Sequence, residues 1–204
     1  VETMTSGVTT LTATPDTGFV ELDHFGGLAP GEDLTAARFV GDLGYLVTYV
    51  EEKGDPLFSF DLSDPENITY GGELDLPGWS DYLHPMAETG KLFAVGMDQE
   101  WNGDWVLSTS IFDVSDLSQP RLHDRVLFEA SGSEASTDHH AFTYDPDTGI
   151  VVIPSWSDNG ETVLEVLSAT ASGGIEPVGQ VTQAPMGELE CVGFRRSILM
   201  DGIV

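Results

Sequence analysis

The chain has 204 residues, a length that suits one domain or two short ones with a sizeable buried core. Hydrophobic residues make up 40% and Gly adds 23 positions, so collagen-like, mucin-like and wholly disordered chains are excluded. Thirty-five Asp and Glu against seven Lys and Arg leave a formal net charge of −28, which excludes a phosphate backbone as partner and disfavours an anionic membrane surface.

No run approaches the ~18 consecutive apolar residues of a spanning helix. The start at Val1, without a basic-then-apolar leader, reads as a mature or trimmed chain. Self-repulsion of this size is screened as the Debye length falls to about 3 Å at 1 M salt. The composition therefore points to saline surroundings or to collection of divalent cations, and an acidic secreted protein of no special habitat stays open beside them. Cys191 is the single cysteine; it lies in an apolar stretch and reads as a buried, inert thiol.

In chain order, residues 1–34 read as the outer two strands of a small sheet. Residues 37–49 follow as two runs rich in β-branched and aromatic residues joined through Gly41-Asp42, a β-hairpin pattern. The same grammar returns at 84–95, 141–153 and 192–204, with turn glycines at Gly44, Gly90, Gly149 and Gly202. A second series interleaves with it: Leu11-Thr12, Leu62-Ser63, Val114-Ser115 and Leu167-Ser168, spaced 51, 52 and 53 residues apart. Each member closes a strand and precedes a weaker strand ending near Phe25, Leu74, Leu127 and Val181.

Each repeat thus supplies four short antiparallel strands in about fifty residues, with no sustained helical periodicity. That is the blade of a β-propeller, in which stacking buries faces that one small sheet cannot bury alone. A β-sandwich would not produce the regular interval. The expected fold is all-β, with blades at 35–81, 82–136 and 137–188, an outer half-blade at 1–34 and an inner half-blade at 189–204. The two half-blades either close a four-bladed ring or belong to a larger propeller. The open strand edges favour the second, with remaining blades or another chain against them.

These residues resemble a family of secreted bacterial and archaeal proteins that carry a C-terminal β-propeller domain distantly related to WD40 repeats. The resemblance is carried by Ala37-Arg38-Phe39-Val40-Gly41-Asp42, Asp61-Leu62-Ser63-Asp64-Pro65, Gly78-Trp79-Ser80-Asp81-Tyr82-Leu83-His84-Pro85, Phe112-Asp113-Val114-Ser115-Asp116 and Asp138-His139-His140-Ala141-Phe142. It runs from about residue 20 to 204. It implies an extracytoplasmic, cell-surface propeller and brings no catalytic residues with it.

Two constellations carry chemistry. Asp98, Glu100 and Asn102 place oxygens at alternate positions of a hairpin loop, with Gly103 at the turn and Asp104 beyond it, matching the start of a calcium loop. Thr109 stands where that loop would need its bidentate Glu, so Ca²⁺ and a plain solvated acidic turn both remain open. His84, His139, His140 and Glu190, with Asp81 and Asp138, fall near the starts of the strands expected to be innermost. Imidazoles beside carboxylates suit zinc, copper or nickel, or general acid–base work. The alternative is that Asp138 and His84 close turns while His139 or His140 packs between blades. His24 and His123 read as exposed.

Trp79, Trp101, Trp105 and Trp156 lie in or beside loops, where a shared rim would offer a stacking surface. Asn67-Ile68-Thr69 is a glycosylation sequon. No nucleophile elbow, phosphate loop or metalloprotease helix is present. The expectation is a non-catalytic interaction or assembly module binding a protein or cell-surface glycan. A metal-dependent enzyme and a surface-layer building block are the competing classes.

Overall fold

The computed structural model describes residues 3–50, 55–86, 89–100, 102–182 and 194–199. The expected four-stranded antiparallel units are present. A two-stranded sheet comes first, β1 (Ser6–Thr14) with β2 (Gly18–Leu28). A sheet in sequential order follows: β3 (Asp33–Val40), β4 (Leu43–Tyr49), β5 (Asp55–Asp61) and β6 (Thr69–Leu76). The next repeats that order with β7 (Trp79–Pro85), β8 (Lys91–Gln99), β9 (Trp105–Asp113) and β10 (Arg121–Leu127). The last holds β11 (Gly132–Ser133), β12 (Thr143–Asp145), β13 (Ile150–Trp156), β14 (Thr162–Thr170) and β15 (Gly174–Thr182). In it β11 and β12 both pair with β13.

The residues fall into two compact units, 1–79 with 114–121 and 80–113 with 122–204. In the first, Val8, Leu28, Leu46, Phe58, Phe60 and Ile68 form a core onto which Phe25 and Tyr70 stack with ring centroids 5.7 Å apart. In the second, Phe93, Val95, Leu107, Ile111, Val151, Ile153 and Leu167 are each at most 1% exposed. The second strands β4, β8 and β13 are buried at five consecutive positions. They bury both faces, which is why their sequences read as continuous apolar runs rather than alternating ones.

β7 begins at Trp79, after Gly78, which at φ +79° makes the turn in the left-handed region that Gly tolerates. The inner strand expected from residue 141 is shortened to Thr143–Asp145, because His139–Ala141 forms a 3-10 turn. Residues 194–199 have no regular secondary structure and lie beside β12, with Thr143 Oγ1 donating to the Ser197 carbonyl at 3.0 Å. The rest of the expected inner half-blade, with Cys191 and Gly202, is outside the described residues.

Within each unit, a polar seam joins segments of consecutive repeats. Ile68 N–H donates to Asp23 Oδ2 at 2.7 Å, and Thr10, opposite Asp23 in the β1–β2 register, donates to the Pro65 carbonyl at 2.5 Å. One repeat later Ser59, opposite Gly72, donates to the Leu117 carbonyl at 2.7 Å. In the second unit Ile175 N–H donates to Asp124 Oδ2, again at 2.7 Å. In the matching turns, Pro120 stands 52 residues after Ile68 and has no N–H to give. On β6, Gly72 lies against the Leu117 and Ser118 carbonyls of that turn. Asp23 and Asp124 thus each accept a backbone N–H from the following repeat, whereas Gly72 packs against carbonyls.

An orphaned N–H is the expected consequence of removing such an acceptor. Asp124→Ala should cost about 1–2 kcal/mol and Asp124→Asn, which keeps an acceptor, markedly less, as read from urea unfolding at constant high salt. Equal losses in the two variants would show that Asp124 acts through charge instead.

Candidate functional site

Between β8 and β9 the chain turns through Glu100 to Asp104. Gly103, at φ +92°, completes the turn, with Gly103 N–H donating to the Glu100 carbonyl and Glu100 N–H to the Asp104 carbonyl, both at 2.9 Å. Asn102 ties the loop together. Its Oδ1 accepts from Asp104 N–H at 2.9 Å, and its amide nitrogen donates to Asp104 Oδ2 at 3.0 Å and to Glu100 Oε2 at 3.3 Å.

The loop between β13 and β14 repeats this scheme. Gly160 (φ +82°) donates to the Ser157 carbonyl, Asn159 Oδ1 accepts from Glu161 N–H at 3.0 Å, and the Asn159 amide nitrogen donates to Glu161 Oε2 at 3.2 Å. Asn-Gly-acid is thus a turn device used in two successive sheets: the side chain replaces a backbone acceptor and Gly supplies the left-handed residue.

Asp98 sits apart from the loop carboxylates. It is 5% exposed, and its Oδ2 is in an ion pair with Arg125 Nη1, while Oδ1 accepts from Gln99 N–H at 2.7 Å. Arg125 Nε in turn donates to Ser110 Oγ at 2.9 Å. Of the four candidate calcium ligands, Glu100, Asn102 and Asp104 are thus brought together and Asp98 is held by Arg125. A calcium ion would have to displace the Asn102 amide and the Arg125 guanidinium to take up this set.

The two Asn-Gly loops line an open cleft of about 660 Å³ together with Trp105, Glu129, Ser131 and Asp158. Among the described residues its charged lining groups, Glu100, Asp104, Glu129 and Asp158, are all acidic. Ser131 Oγ donates to Asp158 Oδ1, and Ser131 N–H to the Trp156 carbonyl at 2.7 Å, which fixes the cleft floor against β13. Trp105 remains 38% exposed at the wall. Trp79 instead packs on Tyr49, with centroids 4.7 Å apart, and Trp156 covers Gly132, where an added Cβ would come within 2.7 Å of its ring. Trp101 lies outside the described residues.

The histidines divide as well. Asp138, extended at φ −122°, caps the 3-10 turn His139–Ala141 by accepting from His140 N–H at 3.0 Å. Its Oδ1 also lies 3.1 Å from His140 Nδ1, and Arg196 Nη2 donates to Oδ2 at 2.7 Å. The His140 backbone N–H, and after it the Arg196 side chain, hold the Asp138 carboxyl down at about 2. The rings of His139 and His140 lie 3.8 Å apart, and one ligand atom from each of Asp138, His139 and His140 falls within 4.8 Å of the others. His84 is not part of that group. It packs on β7 against Phe142 (4.7 Å) and Tyr144 (5.3 Å), with Tyr82 Oη 3.2 Å from its Nδ1. Glu190 lies outside the described residues. His24 is exposed and paired with Thr9 Oγ1 at 2.8 Å, and His123 is exposed.

A family profile described as a beta propeller domain matches residues 1–201 of the sequence. The chain belongs to this beta-propeller domain family. It is similar to an uncharacterized protein from Methanocaldococcus jannaschii, 39% identical over 131 residues, which are 64% of this chain and 20% of that one. It is also similar to an uncharacterized protein from Archaeoglobus fulgidus, 40% identical over 129 residues, 63% of this chain and 20% of that one. The matched stretch is thus a fifth of the length of either relative.

The acidic loop at Asp98–Asp104 of this propeller domain has a counterpart that spacing alone marks. The signal was present: Asn102-Gly103-Asp104 returns as Asn159-Gly160-Glu161, 57 residues on, and Lys53-Gly54-Asp55 is a looser copy ahead of both. Arg125 carried no such signal, because its partner Asp98 is 27 residues away and is brought to it only by the β8–β9–β10 order.

Proposed function

We propose that this propeller segment is a non-catalytic recognition module, working in saline surroundings outside the cytoplasm, whose Asn-Gly loops bind a cationic segment of a partner protein. The observation that supports this reading is the cleft in the second unit. Four carboxylates, with no cation among the described lining residues, face the 38% exposed indole of Trp105 in a space of about 660 Å³. Lys or Arg side chains match such a surface twice, by charge and by cation–π contact with the indole. A neutral glycan would use the indole and leave the carboxylates unmatched. Turn loops braced by their own hydrogen bonds give a preorganised surface, so binding spends little on ordering the receptor.

The test is a fluorescence titration with an Arg- and Lys-rich peptide, in parallel with neutral oligosaccharides, at two fixed salt concentrations. Saturable binding of the peptide that weakens with salt and falls roughly tenfold or more in Trp105→Ala and Asp158→Asn is the expected result. Melting curves of both variants establish that they fold. Saturation by an oligosaccharide with no salt dependence would move the module to glycan recognition, and no binding of either class would overturn the reading.

A further inference from the structure

We propose that Asp138, His139 and His140 form a binding site for a divalent transition-metal ion of the zinc, copper or nickel class. The three residues are consecutive, and in a regular helix or strand their side chains would diverge. Here they converge because Asp138 is an extended cap whose carboxylate folds back over the 3-10 turn that carries both histidines. The carboxylate is fixed from two sides, by Arg196 on Oδ2 and the His140 N–H on Oδ1. The ligating edge is therefore set before any ion arrives, as outer-sphere partners commonly arrange for metal-binding carboxylates.

The spacing fits the ion. Asp138 Oδ1 and His140 Nδ1 are 3.1 Å apart, close to the roughly 3.3 Å edge of a tetrahedron with metal–ligand bonds of about 2.0–2.1 Å. An ion between them would take a lone pair from each atom. A His139 nitrogen lies within 4.8 Å of both, and its exposed ring can close that gap by rotation without disturbing the core. Two imidazoles and one carboxylate select transition metals over Ca²⁺ or Mg²⁺, which take oxygen sets. Three protein ligands leave a fourth position for water or a group from a partner. Among the described residues no other His, Cys, Asp and Glu side chains assemble in this way.

Zinc binding to the intact chain is measured by calorimetry in concentrated KCl with excess Mg²⁺, which occupies the surface carboxylates without competing for imidazole. Co²⁺ then serves as a spectroscopic substitute whose visible bands report imidazole ligation. The expected result is one equivalent of Zn²⁺, a Co²⁺ spectrum displaced by Zn²⁺, and affinity lower by roughly tenfold or more in His139→Ala and in His140→Ala. His24→Ala and His123→Ala should bind as the parent does. His139→Ala leaves the Asp138 cap intact, so its loss of binding cannot be assigned to unfolding of the turn. No binding at about 1 mM Zn²⁺, or a stoichiometry unchanged in a His139→Ala/His140→Ala double variant, would overturn the proposal.

Discussion

Arg125→Ala should be among the most destabilising single changes in the second unit, at about 3 kcal/mol. The side chains of Arg125 and Asp98 are 15% and 8% exposed, and the substitution leaves the Asp98 carboxylate in that setting without its cation. Breaking a buried pair from one side costs about 3–5 kcal/mol, and the lower end applies because Arg125 keeps some contact with water. Adding Asp98→Leu to Arg125→Met should recover most of the loss, since apolar side chains of similar volume replace both charges. Chemical denaturation at fixed high salt reads the difference. A loss below about 1 kcal/mol for Arg125→Ala would mean the pair behaves as an exposed one. Restoration of the variant by Ca²⁺, but not by K⁺ at equal ionic strength, would instead assign Asp98 to a cation.

In the first unit the largest effect is expected at Gly72. A Cβ there would meet the Ser118 carbonyl oxygen at 2.7 Å and its carbon at 3.0 Å, and backbone cannot swing aside as a flexible side chain can. Gly72→Ala should cost about 1–3 kcal/mol through overpacking. Gly72→Asp should cost more, because its carboxylate would meet carbonyl oxygens beside Pro120, which offers no N–H. Gly179 provides the control. A Cβ there meets nothing within 4 Å, so Gly179→Ala should change stability by less than about 0.5 kcal/mol. Urea unfolding of the three variants checks the order. Equal effects at positions 72 and 179 would remove Gly72 from the seam.

Much of this architecture was legible because the repeat is written in residues that do local work. Phe60-Asp61-Leu62-Ser63-Asp64-Pro65 and Phe112-Asp113-Val114-Ser115-Asp116-Leu117 share a turn in which an Asp carboxylate takes a backbone N–H two residues on, at 3.1 Å in Asp64–Glu66 and 3.0 Å in Asp116–Ser118. Such a turn announces itself in sequence. The 3-10 turn before β12 did not, because Asp138 reads equally well as the end of a loop or as a cap. At the site the acidic loop was visible and its chemistry was not. Whether Asp98 is open to a cation depends on Arg125, whose approach is a property of strand order rather than of spacing. His84 had the right residue type and the expected strand, but the rings of Phe142 and Tyr144 define its surroundings.

The seam between sheets also bears on how such a chain can change over time. A segment duplicated in tandem carries its own acceptor and its own donor, but it lands beside a neighbour suited to a different copy. Were the strand beginning after Pro120 set against Asp23, a carboxylate would lose its N–H; were the strand beginning after Ile68 set against Gly72, an amide would lose its acceptor. The repeats share a strand order and differ at these contacts, so they are not interchangeable. Their succession along the chain is fixed by the chemistry at each junction, so growth or shuffling of the array requires compensating substitutions on both sides of the cut.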